Sequence, residues 1–194
     1  MTRPRSNPNA PADTQRDVED RFIENWAAIA ALWGVNRSIG RIHAALYLAK
    51  APMHAEAIRD RLLISHGNVS TSIRDLLAWG VIRKVHLTGE RKAHYEAEQD
   101  PWTWFHECIR ERRRREVVPV LEALNQVAAE AKRAAKGTRG AAKSELNEAH
   151  ARIDRFARFS HEFVDLIDVF LAVGAGKMGK VFRSVARWMP KDRS

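Results

Sequence analysis

The sequence predicts a mainly helical chain with one two-stranded β ribbon, set between long N- and C-terminal helices. Three observations predict it. Apolar residues recur at three- and four-residue intervals through most of the chain, two short helical stripes meet at Ile64-Ser65, and a glycine-turned run of β-formers follows the second stripe directly.

Residues 1 to 12 hold Pro4, Pro8 and Pro11 and no apolar periodicity, so a disordered arm is expected over 1–14. Val18, Phe22, Ile23, Trp26, Ile29, Ala30 and Trp33 then mark a long amphipathic helix ending near Gly34. Ile39, Ile42, Leu46 and Tyr47 mark another from about Ser38 to Lys50. Ala55, Ile58, Leu62 and Leu63 predict a short helix over Met53 to Leu63 with one buried face. The next helix starts at once. Ser65 can cap it through its hydroxyl, Val69, Ile73, Leu76 and Leu77 define its buried stripe, and Gly80 ends it.

The opposite face carries Gly67, Asn68, Thr71 and Arg74, with Ser70 and Ser72 on its flanks, all small or hydrogen-bonding groups able to lie against base edges and phosphates. Val81 to Leu87 and Lys92 to Ala97 then flank Thr88-Gly89-Glu90-Arg91, reading as two strands with Arg91 and Lys92 at the tip. Helix, tight turn, helix, basic hairpin is the order of a winged helix, which places one helix in the DNA major groove. The expected organisation is a winged helix-turn-helix domain with its leading helix over 15–100 and a helical dimerisation region over 101–194. The expected contacts with double-stranded DNA are Ser65, His66, Gly67, Asn68, Ser70, Thr71 and Arg74 of a recognition helix at about 65–79, with Arg91 and Lys92 of a wing tip at 88–92.

After the ribbon, Pro101 can occupy a first helical turn, and Trp102, Phe105, Ile109, Val117, Val120, Leu121, Leu124 and Val127 continue a helical pattern through Pro119, where a kink is expected. Lys136 to Ala142 reads as a loop. Leu146 to Val173 resumes a periodic helix with Ile153, Phe156, Phe163, Leu166, Ile167 and Phe170. At roughly 40 Å such a helix exceeds what one small domain needs, so part of its stripe is expected to meet a second copy in a homodimer.

Charge bounds the partners less than it first suggests. The net charge is +9, but residues 132–194 hold fourteen basic against seven acidic residues while 38–97 hold nine against five. Most of the excess lies outside the ribbon and its helices, so local arrangement bears the DNA reading. A single cysteine, Cys108, excludes an internal disulfide framework, and no signal peptide or long apolar run is seen, so a cytoplasmic protein with no membrane span is expected.

The order of elements resembles the MarR superfamily, and particular residues resemble its GbsR-type branch. These are Gly40-Arg41-Ile42, Ile64-Ser65-His66-Gly67-Asn68-Val69-Ser70, and Gly89-Glu90-Arg91-Lys92-Ala93-His94-Tyr95 leading into Asp100-Pro101-Trp102. The resemblance covers roughly residues 18 to 125. It implies a dimeric transcriptional regulator with the helix after Ser65 in the major groove and Arg91 near the minor groove or backbone. Members of that branch can sense quaternary ammonium compounds, which aromatic cages suit. The reading leaves room for a small-molecule effector without identifying it, because Trp26, Trp33, Trp102 and Trp104 lie on or near helical stripes where tryptophan packs a core.

Other patterns have plainer readings. Gly174-Ala175-Gly176-Lys177-Met178-Gly179 matches G-x-G-x-x-G but lacks a preceding strand and a following βαβ unit, so the glycines read as a helix breaker. His106-Glu107 begins a metalloprotease motif whose second histidine position is Arg110, so no metal is expected. Cys108 and His106 lie two apart on different helix faces and form no nucleophile pair. Arg110 and Arg112 to Arg115 read as a salt-bridged solvated face beside Glu107, Glu111 and Glu116. No catalytic constellation or cofactor site is expected. The competing function is a non-catalytic winged-helix assembly module, with the basic amphipathic stretch Met178 to Met189 holding a membrane or partner.

Overall fold

The computed structural model describes residues 11–174 together with 176, 177, 179, 180 and 184. The first ten residues of the expected arm and most of the expected basic helix at 178–189 lie outside the described residues. The elements are α1 (Pro11–Leu32), α2 (Arg37–Leu48), β1 (Met53–His54), α3 (Ala55–Leu62), α4 (His66–Ala78), β2 (Ile82–Val85), β3 (His94–Ala97), α5 (Pro101–Arg112), a π-helical segment (Arg113–Val117), α6 (Val118–Gly137) and α7 (Ala141–Val173). They fall into two compact units, Met1–Trp104 and Phe105–Ser194. The division comes four residues later than the sequence suggested. Trp104 explains the difference, since its ring lies 5.1 Å from Trp26 and 5.8 Å from His43 and ties the first turn of α5 to the first unit.

In the first unit the helix–turn–helix order and the hairpin are present as expected, with two corrections. The sheet has three strands, in the order β1-β3-β2, because Met53 and His54 pair with Tyr95 and His94 instead of opening α3. That β1 strand pins the entry to α3 against the hairpin. His54 then caps α3, its Nδ1 accepting from the Ala57 amide at 3.2 Å. Helix α1 also begins at Pro11, inside the expected arm; proline suits a first helical turn, where its missing N–H has no acceptor to lose.

The core of this unit is the meeting of α2, α3 and α4 with the sheet. Ile42, Leu46, Ile58, Val69, Leu76 and Val81 have fully buried side chains. Two leucines assigned to it by periodicity are elsewhere: Leu63 is 90% exposed, and Leu77 is exposed at the edge of α4. Leu63 is no longer helical. At φ 53°, ψ 45° it holds the left-handed conformation that closes α3, with its N–H on the Arg59 carbonyl. A side chain there is strained by about 1–2 kcal/mol relative to glycine, which usually takes this place. Since almost none of the Leu63 side chain is buried, we expect Leu63→Gly to raise stability by up to about 1 kcal/mol, read as a higher urea midpoint. A lower midpoint would show that the exposed leucine makes contacts the free chain relies on.

In the second unit α6 and α7 pack along one another, joined by the short connection Thr138–Gly140. At Pro119 the helix adjusts through the π segment immediately before it. Proline lacks an N–H and crowds the carbonyl four residues back; the wider turn has the Val118 N–H reach the Arg113 carbonyl. The arginine run is salt-bridged as expected. Arg112 pairs with Glu116, Arg114 with Glu111, Arg110 with Glu107 and Arg113 with Asp168.

Candidate nucleic-acid interface

Helix α4 is built to show one face. Its N-cap is Ser65, whose Oγ accepts from the Asn68 amide at 3.3 Å, and its core side is Val69, Ser72, Ile73 and Leu76. Ser72 was expected on the outer flank but is buried; a helix turns about 100° per residue, which puts it within the arc of Val69 and Leu76. By the same rotation Gly67, Ser70, Thr71, Arg74 and Ala78 form the centre of the opposite strip, and all are exposed. Ser65, His66 and Asn68 are exposed too, with Asn68 on the flank of that strip. Its middle is therefore lined by small and hydroxyl side chains with one cation.

The hairpin supplies a second cationic element. Gly89 takes φ 84° at the tip, and the Glu90 amide closes the turn on the Leu87 carbonyl at 3.1 Å. Arg91 and Lys92, both exposed, stand beside it but differ in availability. Lys92 Nζ lies 3.5 Å from Glu56 Oε1 on α3; the backbone hydrogen bond of Glu56, then the His54 contact and the Lys92 cation, hold the Glu56 carboxyl below its usual range. Arg91 has no ion pair among the described residues.

Ion pairing sorts the other cations the same way. Arg83 is held by Glu96 at 2.6 Å, Arg41 by Glu24 at 2.8 Å, and Arg59 by Asp60 at 2.8 Å; Arg61 is paired with Asp20. Arg74, Lys84 and Arg91 are exposed and without ion pairs among the described residues. Lys84 was missed by the sequence reading. It sits on β2 across from Tyr95, and its signal was the Arg83-Lys84 pair leading into a glycine turn.

The aromatic residues of this unit close round an imidazole. His43 is buried, lies 5.7 Å from Trp26 and 6.3 Å from Tyr47, and has neither ring nitrogen hydrogen-bonded. Burial lowers its pKa to about 4, so this ring is neutral at physiological pH. Trp26 and Trp104 thus pack as the helical stripes suggested. Cys108, in the second unit, has its thiol pushed up to about 12 by burial and is not a thiolate at neutral pH. No group of three or more His, Cys, Asp or Glu able to hold a metal occurs among the described residues, and no helix there is long and apolar enough to cross a membrane.

No family model matches the chain. It is similar to three curated proteins of Bacillus subtilis strain 168. "Putative HTH-type transcriptional regulator YvaV" is 31% identical over 88 residues, 45% of this chain and 50% of the relative. "HTH-type transcriptional repressor GbsR" is 27% identical over 113 residues, 58% and 62% of the two chains. "HTH-type transcriptional repressor OpcR" is 26% identical over 93 residues, 48% and 50%. The chain thus spans between 50% and 62% of the length of the curated relatives it matches. A solved structure described as a transcriptional regulator aligns over 79% of this chain and 97% of its own, at 18% identity and a TM-score of 0.47. The resemblance to GbsR-type regulators drawn from the motif residues is borne out by these relatives.

Proposed function

We propose that the chain is a sequence-specific DNA-binding transcriptional regulator acting as a homodimer, with α4 as its recognition helix and the β2–β3 hairpin as its wing. The observation that supports this most directly is the coincidence of an exposed, small-residue strip on α4 with the cations Arg74 and Arg91, which form no ion pair among the described residues. Phosphate contacts need free positive charge, and base readout needs a helix face with little apolar bulk. In this reading Ser65, His66, Gly67, Asn68, Ser70, Thr71 and Arg74 meet the major groove, while Arg91 approaches the minor groove or a phosphate. Lys92 serves mainly to hold the wing to α3 through Glu56, and Lys84 adds a further cation on the hairpin stem.

Homodimerisation is supported by apolar surface left exposed among the described residues. Phe156, Phe159, Phe163, Leu166 and Val169 of α7 are each 48% or more exposed, as are Val18, Ile29 and Leu32 of α1. Two recognition helices held about one DNA turn apart would then engage paired half-sites.

Two substitutions test the DNA surface. Arg74→Ala should cost about 1–3 kcal/mol of operator affinity and relax preference at one base position, the signature of a lost bidentate contact. Arg91→Ala should weaken binding to all sequences alike and lower the salt slope by roughly one counterion. Operator titrations by fluorescence anisotropy between 50 and 200 mM salt, a range over which phosphate contacts lose several orders of magnitude in affinity, read both. Binding that is salt-sensitive but blind to sequence in the unaltered protein would instead favour an assembly module.

A further inference from the structure

The α7 stripe carries charge in a pattern that fixes how two copies would meet. Rotation of about 100° per residue places the exposed Phe156, Phe159, Phe163 and Leu166 on one seam, with Arg155 and Glu162 on the same flank, seven residues or two turns apart. Arg155 and Glu162 are exposed, and neither has an ion pair among the described residues. About 10 Å of helix rise separates them, so they cannot pair within one helix. Near Arg155 a shallow depression opens between Arg152, Arg155, Phe156 and Phe159. Three other arginine–carboxylate pairs involve this helix: Arg152 with Glu148 at 3.5 Å, Arg158 with Asp154 at 3.2 Å, and Asp168 with Arg113.

We propose that two copies pair through antiparallel α7 helices crossing near Phe159, so that Arg155 of each copy meets Glu162 of the other. A two-fold axis midway between positions 155 and 162 forms this pair twice and sets the Phe156–Phe159 segments of the two helices against each other. Flank-to-matching-flank pairing is what an antiparallel helix seam presents, and partner choice in such seams is set by these flanking charges. In a parallel two-fold seam matching flanks fall on opposite sides of the interface, so Arg155 and Glu162 of the two copies would not meet. The inference rests on the homodimer reading and adds orientation, register and the charged pair.

Charge reversal tests it in the full chain. Sedimentation equilibrium at low salt should give a dimer for the unaltered protein. Arg155→Glu and Glu162→Arg should each weaken it about tenfold or more, since each turns two attractive pairs into two repulsive ones. An equimolar mixture of the two variants should form heterodimers near the original strength, because both cross pairs are then complementary, and that recovery also shows the variants to be folded. The double variant Arg155→Glu/Glu162→Arg should likewise dimerise. Single reversals that leave the dissociation constant within about twofold, or a mixture that stays monomeric, would overturn the antiparallel seam while leaving a dimer of another kind. An unaltered protein that is monomeric throughout would overturn the homodimer reading itself.

Discussion

Replacing Phe159 and Phe163 with aspartate should convert the protein to monomers and reduce operator affinity by about 10²–10⁴, the advantage that bivalent engagement gives over a single binding event. The rings are 59% and 48% exposed in one chain, so they contribute little to its own core, and charge on both leaves an apolar seam unable to dehydrate. The far-ultraviolet circular dichroism should stay that of the parent. Sedimentation velocity reads assembly and anisotropy reads binding, and a soluble variant dimer with full operator affinity would place the interface elsewhere, with the exposed face of α1 as the next candidate. A loss of dimer without loss of operator affinity would instead separate assembly from DNA recognition.

The α7 stripe also marks what periodicity could and could not resolve. Periodicity groups Ile153, Phe156, Phe163, Leu166, Ile167 and Phe170 on one face, but Ile153, Ile167 and Phe170 are half-buried within the unit while Phe156, Phe163 and Leu166 are exposed. Phe159, exposed at 59%, was missed. An apolar arc wider than one neighbour can cover yields one pattern for two jobs, and only packing separates them. On α4 the arc is narrower and the sequence was nearly sufficient. Its start at Ser65, its buried Val69, Ile73 and Leu76 and its exposed Thr71 and Arg74 all followed from cap chemistry and spacing. Small residues gave less signal, as Ser72 shows: a hydroxyl of that size fits inside or out. A two-residue strand such as β1 gave almost none, since Met53 and His54 are strand only because β3 lies beside them. The difference between Arg91 and Lys92 was equally out of reach, because the acid that engages Lys92 comes from α3, far off in sequence.

Two glycines that cost their helices similar conformational entropy should answer substitution with opposite signs. A Cβ built on Gly40 of α2 would meet the Ala27 Cα and the Ala30 Cβ of α1 at 2.9 Å each, whereas one built on Gly67 of α4 would meet nothing within 4 Å. Alanine improves helix propensity over glycine by up to about 1 kcal/mol at either place, less within a first turn. At Gly67 that gain is unopposed, so Gly67→Ala should raise the denaturation midpoint slightly. At Gly40 it is opposed by overpacking of about 1–3 kcal/mol, and because one of the two obstructing atoms is backbone, no side chain can swing aside to relieve it. Gly40→Ala should therefore lower stability, and Gly40→Val, which adds bulk and has little of alanine's propensity, should lower it by about 3 kcal/mol or more. Ala30→Gly in the Gly40→Ala background should recover only part of the loss, since the Ala27 Cα remains in place. Urea midpoints of the five proteins, including the parent, decide the matter: equal shifts at the two glycines would mean that α1 and α2 are free to move apart, and the close approach would then have no energetic weight.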